Sequence, residues 1–299
     1  MYILSPITLT PSMFTNNNVP VNDFAVWSNA TNYTVGTKVI RTTTNKIYRN
    51  LIAGIDAVFP ENAPTRWFDE GYVNAYKMID DLSSSQTSNL SINQTVDVGA
   101  RVGALAFINL VGTSLTITAT NNGAESIYSK TISLDDSSVT SIYDWFFEPF
   151  VQKTDHFEVD FPEAYQNPII TYTITNASGA NSKVGRFMVA KQYQVGYTQY
   201  GSTIGIRDYS VKSYDANNIA YLNKKDNVKI MTFKLVLDQG ETNRVVKLLR
   251  QLLSVPSVFI GVADNGYEYT IAHGFYQSFR IPLQTPSVNY CELDVEELI

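Results

Sequence analysis

This 299-residue chain is short of charge, of basic clusters, of histidine and of cysteine, and each shortage removes a class of function. Charged residues make up 17% of it, against about 25% in an ordinary globular protein. No Lys/Arg cluster occurs, the first basic residue is Lys38, and the formal net charge is −6. A grip on nucleic acid through phosphate neutralisation is therefore not expected. The one cysteine, Cys291, rules out an internal disulfide framework and a structural zinc site built from cysteines. No apolar run reaches the ~18 residues of a transmembrane helix. The stretch from Met1 to Pro11 lacks a charged n-region and a long apolar h-region, so it does not read as a signal peptide, and cytoplasmic synthesis is expected.

Catalytic signatures are equally sparse. There is no Gly-x-Ser-x-Gly, no HExxH and no phosphate-cradling glycine loop. His156, His273 and Cys291 each read as structural residues, Cys291 as a small core residue in a terminal strand. The neighbouring carboxylates Asp80-Asp81, Asp135-Asp136 and Glu296-Glu297 point to opposite faces if they lie on strands, which makes poor acid/base pairs. No catalytic residue and no cofactor is expected, although two carboxylates distant in the chain could still hydrolyse a glycoside.

What is present is β-forming. Hydrophobic residues reach 44%, too many for disorder, and uncharged polar residues with 19 tyrosines replace the missing charge. That mixture suits strands, turns and contact surfaces. At roughly 100–200 residues per domain, two or three domains are expected.

Four segments are expected along the chain. Residues 1–20 carry Pro6, Pro11 and Pro20 and read as an extended arm, either lying on its own domain or adding a strand to a neighbour. Residues 21–75 form a small aromatic-rich β module, with Val39 and Tyr48 on a hairpin turned by Thr42 to Asn45. Residues 76–182 read as a β-sandwich or jelly roll, with strands near 104–110, 115–118, 128–132, 157–161 and 170–174 and a turn at Asn121-Asn122-Gly123. Residues 183–299 form a β-rich domain with one amphipathic helix over about 239–254. Asp238 and Glu241 offer its capping box, Val245, Leu248, Leu249 and Leu252 its apolar stripe, and Pro256 its stop. A hairpin turn at Asp264-Asn265-Gly266, leading into a strand from Tyr267, is expected beyond it. The fold class is mainly β.

Two candidate sites stand out. Trp27, Tyr33, Tyr48 and Trp67 supply flat aromatic surface of the kind that meets the apolar face of a sugar ring. They equally supply the core that a module of about fifty residues needs. Trp67 and Tyr33 are the two expected to be exposed. Asp80 and Asp81, in an oxygen-rich stretch before the sandwich, are a weak calcium candidate set against a solvated turn.

The residues Trp27-Ser28-x-x-Thr31-x-Tyr33-x-x-Gly36-x-x-Val39, then Ile47-Tyr48-Arg49 and Pro64-Thr65-x-Trp67, resemble the small chitin-binding-type module of chitinases. Versions of that module occur in tailed-bacteriophage virion proteins, where the stretch from Trp67 to Thr87 often runs straight into a β-sandwich. One departure is that Lys46-Ile47-Tyr48-Arg49 lacks the following tryptophan pair. Ile204-Gly205-Ile206-x-Asp208-Tyr209-Ser210, the strand–helix unit to Leu253, Pro256-x-Val258-Phe259-Ile260-Gly261, Gly274-Phe275-Tyr276-x-x-Phe279 and Ser287-x-Asn289-Tyr290-Cys291-x-Leu293 are similar to the end of tail-tip or baseplate proteins of long-tailed phages. Together these cover about two thirds of the chain.

The resemblance implies a virion structural protein of the tail tip, docked by its C-terminal domain, with β modules facing outward. It implies homo-oligomeric packing around the tail axis, other tail and baseplate proteins as partners, and host-surface glycan as a further contact. Neither nucleic acid nor membrane insertion is implied, and release by lysis needs no secretion signal. The alternatives are a free carbohydrate-binding module and a virion-associated polysaccharide-degrading enzyme.

Overall fold

The computed structural model describes all residues except 83, 136–140, 148–150, 163, 164, 178, 215–217, 265, 283–286 and 299, and only the backbone at 144 and 145. It is mainly β, with antiparallel sheets and one long helix, Gln239–Gln251. The chain divides into two compact units, one of Met1–Ile7 with Ala190–Ile299, the other of Thr8–Val189. This differs from the four expected segments.

The first unit is an antiparallel sheet. The end of the strand Ser182–Gln194 pairs with Tyr2–Pro6, followed by Ser257–Ile260, Ile271–Arg280, Val288–Glu297 and Asn227–Asp238. Tyr197–Thr198 and Thr203–Asp208 both pair with Asn227–Asp238. The expected arm is thus corrected: Tyr2–Pro6 is an interior strand, hydrogen-bonded on both edges. The proline allows this because Pro6 is the strand's last residue, where a missing N–H breaks no interior ladder bond. The rest of the expected arm includes Phe14–Asn17, which pairs with Ser91–Asp97 in the other unit.

The helix lays Val245, Leu248, Leu249 and Leu252 against Met231, Phe233, Leu235, Leu293 and Val295 of this sheet. Its spacing follows the expected stripe, but its ends do not. Asp238 holds the N-cap position without a side-chain cap bond, and Glu241 pairs with Arg244 at 3.1 Å instead. The first turn is tied down from outside, by Gln239 N–H to Ser287 O at 3.1 Å and by Asn289 Nδ2 to Gln239 Oε1 and Thr242 Oγ1. The helix closes at Gln251, short of 254, and Ser254 at φ 61° turns the chain before Pro256. A strand from Tyr267 is corrected too. A short 3-10 turn, Glu268–Thr270, precedes the strand, because Thr270 bonds back to Tyr267 O through both its N–H and its hydroxyl. Asn265 of the expected hairpin turn lies outside the described residues.

In the second unit, five antiparallel strands run in the order Glu125–Ser133, Ser114–Asn121, Pro168–Thr175, Ser91–Asp97 and Phe14–Asn17. Their period-two pattern buries Leu115, Ile117, Ile170, Tyr172, Ile174, Ile92 and Val96. Ala104–Val111, His156–Glu158, Thr87–Asn89 and the start of Ser182–Gln194 form the opposing layer. Phe107 and Phe187 of that layer meet Tyr172 at ring distances of 5.2 and 4.6 Å, so two sheets pack face to face as a sandwich. Asn122 at φ 48° and Gly123 at φ 79° make the expected hairpin turn.

The segment 21–75 lies within this same unit. Lys38–Arg41, Lys46–Asn50 and Trp67–Tyr72 make a three-stranded sheet, and Asn32–Tyr33 pairs with Gly54–Ile55. The hairpin turn falls where Thr42 to Asn45 place it, with Asn45 at φ 54°.

Candidate functional site

The four aromatics come together, but inward. Trp27, Tyr33, Tyr48 and Trp67 form one cluster with Val39, and their exposures are 8, 6, 4 and 2%. Trp67 and Tyr33 meet edge-on at 5.1 Å. The Trp67 indole donates to Asp56 Oδ2 at 2.9 Å, and the Tyr33 hydroxyl both donates to Ser28 O and accepts from Ser28 N–H. This corrects the expectation that Trp67 and Tyr33 are exposed platforms. A module this small needs large side chains to fill its centre, and these four aromatics are spent there with Val39.

The aromatics on the module's surface are Phe24, Phe59 and Phe68, which the sequence reading missed. A signal existed for Phe68: once Trp67 points inward, its strand neighbour must point outward. Each of the three rings carries a cation: Lys38 near Phe24 at 5.7 Å, Arg41 over Phe59 at 4.2 Å and Arg49 over Phe68 at 5.3 Å. Arg41 also stacks on Trp27 and makes a two-pronged bond to Glu61. Beside them lies an open cleft of about 560 Å³, lined by Lys46, Tyr48, Glu61, Trp67, Phe68 and Asp69 among others. Its charges are already spent on one another, Lys46 on Asp69 at 2.6 Å and Glu61 on Arg41. The hydrogen bond to Asp69 raises the Lys46 pKa, and burial raises that of Tyr48. This arrangement holds strands together and presents no activated nucleophile.

Asp80 and Asp81 do not converge. Asp80 accepts from Leu82 N–H and the Ser85 hydroxyl, and burial pushes its carboxyl above the ordinary range. Asp81 turns to the buried Arg186, at 2.9 Å. A calcium site gathers six or more oxygens, and among the described residues no group of three acidic, histidine or cysteine side chains is placed to hold a metal.

One buried polar cluster was not foreseen. Glu158, buried, accepts from Lys130 Nζ at 2.8 Å and lies 3.4 Å from His156 Nε2. Burial alone would raise its pKa, but the hydrogen bonds from His156 and Lys130 outweigh that and hold it at about 2. It joins Glu125–Ser133 to His156–Glu158 and reads as a tie between layers. His273 and Cys291 are buried in the first unit, with the Cys291 thiol pushed up by burial to about 11.

Among the described residues, apolar side chains are exposed in both units. In the first unit, Val211–Tyr214 and Ala220–Asn223 form a hairpin that prolongs the pairing of Thr203–Asp208 with Asn227–Asp238. All eight of its strand residues are exposed, Leu222 by 69%. Among the described residues neither strand pairs with a third. In the second unit, the short helix Ile142–Phe147 exposes Ile142, Tyr143, Phe146 and Phe147. No described helix is long and apolar enough to cross a membrane.

No family model matches the chain, and neither a curated protein nor a solved structure proves similar to it.

Proposed function

We propose that this chain is a structural protein of a phage tail tip or baseplate, whose copies pack around the tail axis through the unit that holds the long helix. The observation that carries the reading is the exposed hairpin of Val211–Tyr214 and Ala220–Asn223. A two-stranded ribbon is marginal in water without a packed face, and this one exposes Val211, Tyr214, Tyr221 and Leu222. Such a ribbon gains a packed face when another subunit covers it. The order of the sequence motifs, aromatic module, then sandwich, then strand–helix domain, supports the tail-tip assignment. The inward-facing aromatic cluster supports the module's role as architecture, since its four candidate sugar contacts are spent on packing.

The test is the assembly state of the purified full chain by light scattering and negative-stain imaging, with immunogold labelling of phage particles. Closed rings in solution and label at the tail end are expected. A monomer at tens of micromolar, or particles that carry no label, would overturn the reading.

A further inference from the structure

We propose that Asn122 is a site of covalent self-modification: without any enzyme, the Gly123 backbone nitrogen attacks its side chain and converts it to aspartate and isoaspartate. The inference is independent of the assembly reading above.

The reaction needs an asparagine, a following residue whose nitrogen can reach its side chain, and freedom for both groups to move. Asn122-Gly123 supplies the first two, because glycine has no Cβ to obstruct approach to its backbone. The fold supplies the third. The pair sits at the tip of the hairpin between Ser114–Asn121 and Glu125–Ser133, and both residues are exposed. Ala124 N–H closes the turn on Asn121 O at 3.0 Å, and Asn122 N–H reaches Asn167 O only at 3.4 Å. Among the described residues, neither the Asn122 side-chain amide nor the Gly123 N–H has a hydrogen-bond partner. Other asparagines of this unit lack one of the conditions. Asn45 also lies at a hairpin tip, with φ 54°, but Lys46 follows it. Asn50 and Asn74 spend their amides on Thr34 O and Ser88 O.

The turn holds Asn122 at φ 48° and Gly123 at φ 79°, so it loosens before the nitrogen meets the side-chain carbon. Exposed loop tips open at the low end of local unfolding free energies. The Gly123 nitrogen then bonds to Asn122 Cγ, the Cγ–Nδ2 bond breaks, and ammonia leaves with the proton that the attacking nitrogen gives up. Water opens the resulting succinimide at either carbonyl. One opening leaves an ordinary aspartate, and the other sends the main chain through Cβ and Cγ as isoaspartate. No oxidant or reductant is consumed, and either product carries a new carboxylate close in sequence to Glu125. Isoaspartate also lengthens the main chain inside a tight turn. Both changes loosen the pairing of Asn121 with Glu125 and of Thr120 with Ser126.

The full chain, folded in buffer at neutral and mildly alkaline pH and unfolded in guanidinium chloride, is aged and digested. Isoaspartate is read on the peptide spanning position 122 by isoaspartyl methyltransferase labelling and tandem mass spectrometry. In the folded chain, conversion at Asn122 should run within about tenfold of its rate in the unfolded chain, as expected of a tip that opens locally. It should quicken with pH, because the attacking nitrogen must lose its proton. Asn122→Gln should strip the label from that peptide at unchanged Tm, and amide exchange along residues 125–128 should be faster in the aged wild type. The proposal is overturned if Asn122 stays intact in the folded chain after it has converted in the unfolded one. Aspartate without isoaspartate, or a label that survives Asn122→Gln on that peptide, overturns it as well.

Discussion

Replacing Trp67 separates a packed module from a binding platform. Its side chain is 2% exposed, meets Tyr33 edge-on and donates to Asp56. A buried Trp removes about 150–250 Å² from water, which at about 25 cal/mol per Å² is roughly 4–6 kcal/mol, and truncations of this kind cost about 3–5 kcal/mol. We expect Trp67→Ala to destabilise by about 4 kcal/mol, read from urea titration at unchanged m-value. Trp67→Phe keeps a six-membered aromatic ring but removes the rest of the indole with its N–H to Asp56. That carboxylate retains Val58 N–H at 2.9 Å and Arg66 at 3.4 Å, so the lost hydrogen bond should cost about 1–2 kcal/mol, with the lost packing added to it. Those three groups hold the Asp56 pKa below its ordinary value. A depressed pKa stabilises above the ordinary carboxylate range and loses that stabilisation as pH falls, so Trp67→Phe should also flatten the acid limb of the stability profile. Phe68→Ala, at an exposed position, should stay within about 0.5 kcal/mol of wild type. A Trp67→Ala loss below about 1 kcal/mol, or a Phe68→Ala loss above that of Trp67→Ala, would refute the inward assignment.

Three further outcomes follow from the packing. Glu158 has a folded pKa of about 2 against an ordinary 4.5, so its stabilisation is full above about pH 5 and fades as pH falls towards 2; in Glu158→Gln that part of the acid dependence should disappear from thermal melts. Leu249→Asp sets an unpaired charge on the buried stripe of the long helix and should cost more than about 4 kcal/mol. Loss of amide-exchange protection along Asn227–Asp238 would report it, and retained protection would contradict the helix packing. At Gly274 any Cβ would collide with the Glu296 carbonyl. Gly274→Ala should therefore part the pairing of Ile271–Arg280 with Val288–Glu297 and lower Tm by several degrees, measured by calorimetry.

Local pattern made much of the fold legible. Period-two burial marked the sandwich strands, Asn122-Gly123 marked their hairpin, and the spacing of Val245, Leu248, Leu249 and Leu252 marked the helix. Those signals are set by residues close in sequence. What stayed hidden depends on distant partners. Nothing within residues 1–7 shows that they pair with residues 190–194 and 258–260, and Pro6 argued against it. The helix N-terminus looked self-capped because Asp238 and Glu241 have the right spacing, yet Ser287 and Asn289, about fifty positions on, take the first turn instead. The aromatic cluster was legible as residues but not as an orientation. A flat ring serves a core and a sugar equally well, and only the Asp56 and Ser28 partners decide between them.

The strand Tyr2–Pro6 also has a consequence in time. Met1 donates to Gly196 O, a partner 195 positions later, and at about 5–20 residues per second a ribosome needs roughly 10–40 s to cover that distance. The pairing with Val258, Phe259 and Ile260 comes later still. The partners of Tyr2–Pro6 on both edges are made only after Thr8–Val189 has been synthesised, so that unit has its own strand partners before this strand has either of its own. The order of synthesis therefore commits the chain to a late, high-contact-order closing step.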